Sequence, residues 1–307
     1  TFIAKIPSLS DLYEELENKE ENINEQISDS IDELMSLKDE IDNMELNILK
    51  TEDELKWEDQ QKIKEIINQA KNEINKMKNI SDAIETLMEQ SEKHDLFLPD
   101  LMNKFKELSS LLKEVIPENL LENLNNTQNY LEEMDLQSLQ EALENMSNNI
   151  AEMESELDRY IDIFKRLQAE QKMDELKNRM EKLVQQKDKL DRDIETINLS
   201  ENKTAESRIW QEEQRVLEEL NNINQELEEA SELVKPFSEN SATKLSELKS
   251  SPDFNMAERS IKETITNLQN NNNQKAKSSS QLSLTSLNNI QKQLARIQKE
   301  FQNETVS

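Results

Sequence analysis

The side chains in this sequence that could do chemistry are one histidine and many carboxylates. His94 is the only histidine, and Glu92 and Asp95 are the nearest carboxylates that could share a metal ion with it. A zinc site needs three or four ligands, so His94 is predicted to be a surface residue where a helix ends. Ser91, His94 and Asp95 have the residue types of a hydrolase triad. A triad also needs a nucleophile turn and an oxyanion pocket, which this stretch does not offer.

The chain contains no glycine and no cysteine among its 307 residues. Phosphate-binding loops and dinucleotide-binding turns depend on glycine, because only glycine tolerates the backbone angles and the close approach to a ligand. Acidic pairs such as Glu14–Glu15 lack the loop of an EF-hand, and one histidine cannot complete a di-iron bundle. The sequence therefore predicts no enzyme, no cofactor, no metal and no small-molecule substrate. An enzyme or a metal-binding helical bundle is the least favoured alternative.

The charge balance restricts the class of partner. Lys and Arg number 37 against 66 Asp and Glu, for a formal net charge of -29. Nucleic-acid binders and helices that lie on anionic membranes carry basic faces, and an acidic field repels both kinds of surface. No segment approaches the ~18 consecutive apolar residues of a membrane span. The predicted partners are proteins, either other helices or a second copy, with membrane contact only through segments outside this sequence and no nucleic acid.

The elements that position these side chains are predicted to be long helices. Aromatic residues make up only 4% of the chain, and apolar residues recur at alternating spacings of three and four, which is typical of coiled-coil seams. Glu20 and Ser30 interrupt the first seam. The fold is predicted to be all-α, with elongated antiparallel helical hairpins or coiled coils and a small helical knot in the middle. The predicted interaction seams contain Leu16, Ile23, Ile27, Leu34, Leu37, Ile41, Met44, Ile63, Ile67, Ile74, Met77, Ile84, Leu157, Phe164, Leu167, Leu176, Met180, Leu183, Leu220, Ile223 and Leu227.

Four segments are predicted along the chain. They are an antiparallel helical hairpin at 1–95, short apolar helices at 96–134, a long helix with its antiparallel return helix at 135–236, and a weakly ordered linker with amphipathic helices at 237–307.

Local features set these boundaries. Two helical stretches of similar length flank a turn at 51–54, and Trp57 is predicted to fill that end of the hairpin. Prolines bracket the short helices that are predicted to form the knot. The seam slips by about two residues at 168–171, which indicates a kink, an unwound turn or a change of partner helix. A second turn is predicted at 199–202, and the asparagine run at 270–273 is predicted to be a flexible connector.

Several stretches resemble a known family, in the same order along the chain. They are IPSL at 6–9, LYEE at 12–15, LKWED at 55–59, LQEALENM at 139–146, ELDR at 156–159 and FKRLQAEQKMDEL at 164–176. With them the chain resembles the helical region of an uncharacterised family of large bacterial membrane proteins. That family occurs mainly in Bacteroidetes-type bacteria and is catalogued only as a domain of unknown function. The resemblance covers about residues 6–235.

The resemblance implies a location in the bacterial cell envelope, because members of the family have membrane-spanning helices before this region. The chain is then a fragment of a longer, membrane-anchored protein and lies in an aqueous compartment, the periplasm. The resemblance implies no catalytic residues. The predicted function is a non-catalytic spacer or docking module of that envelope protein. The alternative is a cytoplasmic or cytoskeletal coiled-coil tether without a membrane link.

Overall fold

A computed structural model describes residues 9–50, 55–196 and 203–304. The regular structure within these ranges is entirely α-helical, which confirms the all-α prediction. The predicted turns at 51–54 and 199–202 lie outside the described residues. The helices are α1 (Leu9–Leu49), α2 (Trp57–Lys93), α3 (Pro99–Glu114), α4 (Leu120–Glu133), α5 (Leu136–Thr196), α6 (Lys203–Val234), α7 (Glu239–Lys249), α8 (Pro252–Gln269) and α9 (Asn273–Glu304).

The chain forms two compact units, Thr1–Leu167 and Gln168–Ser307. Their boundary lies inside α5, and not at any segment boundary drawn from the sequence, because an unbroken helix carries no turn signal. The seam slip at 168–171 falls at this boundary. Since α5 stays helical through the slip, there is no unwound turn. The slip accompanies a change of partner helices, from those of the first unit to those of the second.

In the first unit, α1 and α2 run antiparallel. The Tyr13 hydroxyl donates to the Leu96 carbonyl at 3.1 Å, just beyond the end of α2. Lys76, near the middle of α2, pairs with Glu33 of α1. Residue numbers thus fall along α2 as they rise along α1, which is the geometry of a helical hairpin.

The short helices α3 and α4 lie one after the other along α2. Lys113 of α3 pairs with Glu85 at 2.6 Å, and Lys71 of α2 donates to Gln128 of α4 at 3.4 Å. Pro117 breaks the helix between them because it cannot donate a backbone hydrogen bond. The short helices of the predicted knot are thus present and pack on a long helix, where α3 and α4 form one wall of a bundle. With the first part of α5, the unit has an up-down-up-down arrangement whose third position is broken.

The second unit repeats this arrangement. Gln186 of α5 donates to Glu212 of α6 at 3.0 Å, and the Ser231 hydroxyl of α6 donates to the Ala242 carbonyl of α7 at 2.9 Å. The helices α7 and α8 continue one another across a break at Pro252, which occupies the first turn of α8. The third position of both units is therefore a helix interrupted by proline.

Residues 237–304, the described part of the segment 237–307, are well packed, and the weak order predicted for them is corrected. Lys244 of α7 pairs with Glu300 of α9 at 2.5 Å, and Asn289 of α9 donates to Asp253 of α8 at 3.0 Å. Small side chains line the contact between α8 and α9, and helices approach closely where the side chains are small. The buried members are Ala257, Ser260, Thr264, Ala276, Ser279, Ser280 and Ser283. A segment rich in serine and asparagine resembles a linker in sequence. Its burial against neighbouring helices becomes visible only in the structure.

Three helix ends use a left-handed residue in place of glycine. Asp95, Met134 and Asn271 have φ of 55°, 57° and 55°. After Asn271, the Asn272 N–H bonds to the Asn267 carbonyl at 2.8 Å, which is the bond that closes a Schellman helix end. The predicted flexible connector at 270–273 is therefore a tight turn.

Replacing Met134 by glycine is expected to raise the free energy of unfolding by about 0.5–1 kcal/mol, since a side chain in the left-handed region costs more than the extra freedom of an unfolded glycine. Urea unfolding measures the change. The control is Asn271→Gly, for which a smaller gain is expected because asparagine tolerates this backbone region. A larger gain at Asn271 than at Met134 would contradict the strain at Met134.

Candidate interaction surfaces

The 21 residues of the predicted interaction seams are all buried, with exposed fractions between 0% and 5%. They belong to two apolar cores, one in each unit. A two-helix hairpin leaves part of its apolar stripe uncovered, whereas four surrounding helices cover it completely. The seams therefore pack against other helices of the same chain and leave no exposed seam residue for a partner helix.

Apolar side chains that remain exposed are concentrated in the first unit. Eleven large ones are exposed in the described ranges, and nine of these precede residue 168. The nine are Met35, Leu46, Leu49, Trp57, Leu98, Leu111, Leu121, Met134 and Ile163; the other two are Met256 and Leu282. The first unit therefore offers more exposed apolar side chains to a partner than the second unit does.

Trp57 marks one end of the first unit. Its side chain is 71% exposed on the first turn of α2. Leu46 and Leu49 are exposed near the end of α1, and Met134 is exposed in the turn between α4 and α5, where its sulfur lies 3.9 Å from the Gln60 amide nitrogen. The antiparallel topology brings these helix ends together. We call the surface formed by Leu46, Leu49, Trp57 and Met134 the Trp57 end.

The prediction that Trp57 fills the end of the hairpin is wrong. Leu55, which precedes the helix, is the buried residue there, with 5% exposure. An exposed indole is unusual, because tryptophan is strongly enriched at protein interfaces and rarely left in water. More acidic than basic residues lie around it: Glu58 and Asp59 are in the same helical turn and Asp135 is beside Met134, whereas Lys56 directly precedes it. The surface therefore combines apolar side chains with negative charge.

The first unit also has a groove of about 300 Å³ between the last turn of α3 and the middle of α5. We call it the Tyr160 groove. It is lined by Leu111, Glu114, Val115, Glu152, Glu156, Arg159, Tyr160 and Ile163. On α5 the lining residues recur at spacings of three and four, so they form one stripe along the helix. The groove lies beside the point where α3 ends before Pro117.

A pair of carboxyl groups lies between α1 and α2, beside a cavity of about 210 Å³. Glu73 is 3% exposed, and both it and Glu33 contact Lys76. Burial raises the pKa of Glu73 to about 7, and its hydrogen bond with Glu33 adds to the rise. The pKa of Glu33 is lowered, first by the hydrogen bond with Glu73 and then by the one with Lys76. The two carboxyl groups therefore hold one proton near neutral pH.

Glu73→Gln is expected to stabilise the chain at pH 8 by about 1–3 kcal/mol and to make little difference at pH 4.5. A raised pKa in the folded state gives stability that is complete below pH 4.5 and is lost as the pH rises through about 7. Glutamine removes that loss. Urea unfolding at several pH values measures the difference between parent and variant. Glu40→Gln, on the same cavity, is the control; a pH-dependent gain of equal size there would contradict the assignment to Glu73.

The second unit contains a network of charged side chains between α5 and α6. Arg179, which is 2% exposed, pairs with Glu175 at 2.7 Å, with Glu219 at 2.8 Å and with Glu226 at 2.6 Å. Lys172 pairs with Glu226 at 2.9 Å. Burial by itself would raise the pKa of Glu226, but Arg179 and Lys172 outweigh it and bring the pKa below its usual value. These ion pairs form only when α6 lies at one position along α5.

Lys187 and Glu213 form a fully buried ion pair in the same unit, each with 0% side-chain exposure. The Lys187 ammonium also donates to the Ser280 hydroxyl of α9 at 3.0 Å. Burial lowers the pKa of Lys187 and raises that of Glu213, in each case against the influence of the partner. The sequence did not lead us to predict this pair. Each residue occupies a seam position, four residues after an apolar seam residue and three before the next, and a charged residue at such a position could have indicated a buried ion pair.

The structure also places the residues first considered for chemistry. His94 is exposed at the end of α2, as predicted. In the part of the chain that the structure describes, no group of three or more His, Cys, Asp and Glu side chains could hold a metal ion. Among the described helices, none combines the length and the apolar character needed to cross a bilayer.

Comparisons of the chain with protein-family models, with curated proteins and with solved structures found no match. The resemblance to the family of bacterial membrane proteins therefore stays a prediction.

Proposed function

We propose that the chain is a non-catalytic interaction module, in which the first unit contacts a partner protein at the Trp57 end and the second unit is a scaffold. The observation that carries the proposal is the 71% exposure of Trp57 in a chain whose seam residues are buried. Tryptophan contributes more binding energy than most residues when an interface covers it. The exposed Leu46, Leu49 and Met134 extend the apolar area around it.

The partner at the Trp57 end is expected to present apolar side chains with lysine or arginine around them. Glu58, Asp59 and Asp135 supply negative charge at the rim of the surface. A second copy of this chain is the weaker candidate, because each copy carries a formal charge of -29 and like charges oppose association. A different, basic protein fits both features.

An envelope location belongs to the proposal only through the resemblance. In that setting the module would dock a partner in the periplasm; the cytoplasmic tether is the alternative. Fractionation of the native cells, with an antibody against the chain, separates the two. Recovery with the membranes and accessibility from the periplasm support the envelope setting, whereas recovery in the cytosolic fraction supports the tether.

Photo-crosslinking from position 57 tests the docking surface. We expect a benzoylphenylalanine at position 57, in the native cells, to give one discrete adduct with a basic protein. Trp57→Ser is expected to weaken binding of the purified partner by at least about tenfold, since a central tryptophan contributes 2 kcal/mol or more. Position 256 is the matched control, because Met256 is an exposed apolar residue of the second unit. The same adduct from both positions, or no adduct from position 57, would contradict the proposal.

A further inference from the structure

Tyr160 lines the groove as a buried side chain. Tyr160 is 2% exposed, and its hydroxyl has no hydrogen-bond partner within the described ranges. Burial raises the pKa of Tyr160. The hydroxyl oxygen is closed off from solvent, so an occupant of the groove packs on the Tyr160 side chain and makes no hydrogen bond to it.

The groove has an acidic end and an apolar end. Phe105 of α3 packs against Phe164 of α5, with ring centroids 6.2 Å apart. From this antiparallel register, Glu114 of α3 lies level with the stretch of α5 between Glu152 and Glu156. One turn away, Leu111 lies level with the stretch that leads to Tyr160 and Ile163.

The exposure of the lining residues agrees with a docking surface. Leu111 and Ile163 are 44% and 38% exposed, whereas Val115 between the two helices is 5% exposed. The groove thus has a closed apolar floor and accessible apolar walls. Its length on α5, from residue 152 to residue 163, is about 16 Å, or about three helical turns.

The charge of the groove favours a basic occupant. Three carboxylates, from Glu114, Glu152 and Glu156, stand against the single cation of Arg159. Arg159 is itself 3.9 Å from Glu156, and its side chain is 76% exposed, so it neutralises the site weakly. A second copy of this acidic chain fits the groove poorly for the same electrostatic reason.

We propose that the Tyr160 groove binds a short amphipathic helix of another protein. Its lysine or arginine side chains contact the carboxylates of Glu114, Glu152 and Glu156, and an aliphatic side chain about one turn away lies between Leu111 and Ile163. This is helix-in-groove recognition with a charged end that sets the direction of the bound helix. The proposal does not depend on the Trp57 end.

A synthetic helix tests the groove on the full chain. The probe is a fluorescein-labelled, stapled peptide of leucine, lysine and alanine, and its twin carries glutamate in place of lysine. Fluorescence anisotropy is expected to give saturable binding of the lysine peptide, with one peptide per chain, and at least about tenfold weaker binding of the twin. Equal binding of the two peptides overturns the basic partner.

Matched variants locate the binding site. Glu152→Gln with Glu156→Gln is expected to weaken the lysine peptide about tenfold. The control, Glu141→Gln with Glu144→Gln, removes the same charge from exposed positions on α5 away from the groove, and binding is expected to stay within about twofold. An equal loss in both pairs would mean that only the acidic field of the chain attracts the peptide, and it would overturn the groove.

Trp57→Ser is expected to leave peptide binding unchanged; a loss there would move the site to the Trp57 end, and the groove proposal would fail while the proposed function stood.

Discussion

Lys187→Met is expected to lower the free energy of unfolding by about 3–5 kcal/mol, because it leaves the Glu213 carboxylate buried without its partner. Both side chains are fully buried, and the pair is completed by Ser280. The loss is expected to be smaller at pH 5 than at pH 8, since burial raises the pKa of Glu213 and protonation removes the uncompensated charge. Urea unfolding at the two pH values measures both effects.

The double variant Lys187→Met with Glu213→Leu is the control for this prediction. Replacing a whole buried ion pair by apolar residues of similar volume is often neutral or stabilising, so the double variant is expected within about 1 kcal/mol of the parent or above it. If the double variant were as unstable as Lys187→Met alone, the packing of the lysine chain, and not the unpaired charge, would be the cause.

Phe105→Ala is expected to lower the free energy of unfolding by about 3–5 kcal/mol, the usual cost of a cavity where a buried phenylalanine was. Phe105 is fully buried. Its ring stacks on Phe97 with centroids 4.9 Å apart and meets Phe164 edge-on at 6.2 Å. The three rings join the start of the short helices to α5, so the effect falls on the core of the first unit.

Leu121→Ala is the matched control for the ring cluster, because Leu121 is 47% exposed on α4. Exposed substitutions of this kind usually change stability by less than about 0.5 kcal/mol. A double-mutant cycle between Phe105→Leu and Phe164→Leu is expected to give a coupling of about 0.5–1.5 kcal/mol. A coupling near zero would mean that the rings contribute only by the area they bury.

The buried charges of the second unit have a structural consequence for register. Helices with a regular apolar repeat can slide past one another by one repeat and still bury their seams. A slide of α6 along α5 would separate Lys187 from Glu213 and Arg179 from Glu219 and Glu226. The ionic contacts therefore disfavour every register except the observed one, as buried polar residues do in some helical assemblies.

The apolar spacing of the sequence was enough to predict the helical class and the apolar face of each helix. Every residue of the predicted seams lies on such a face, because a residue's place on the apolar face of a helix depends only on its neighbours in sequence. Proline likewise marked the start of α3 at Pro99 and the helix break before α4 at Pro117, since its effect on the backbone is local.

Only the tertiary structure decided which helices cover which faces. The apolar pattern of α1 is compatible with a hairpin, a dimer or a bundle, and the choice depends on helices far away in the chain. The same holds for Lys187 and Glu213: each occupies a seam position in the sequence, but they become a buried pair only where α5, α6 and α9 meet. Exposure of Trp57, the order of residues 237–304 and the Tyr160 groove also depend on long-range packing. Local sequence sets the helix and its apolar face, whereas burial of a given side chain is a property of the whole assembly of helices.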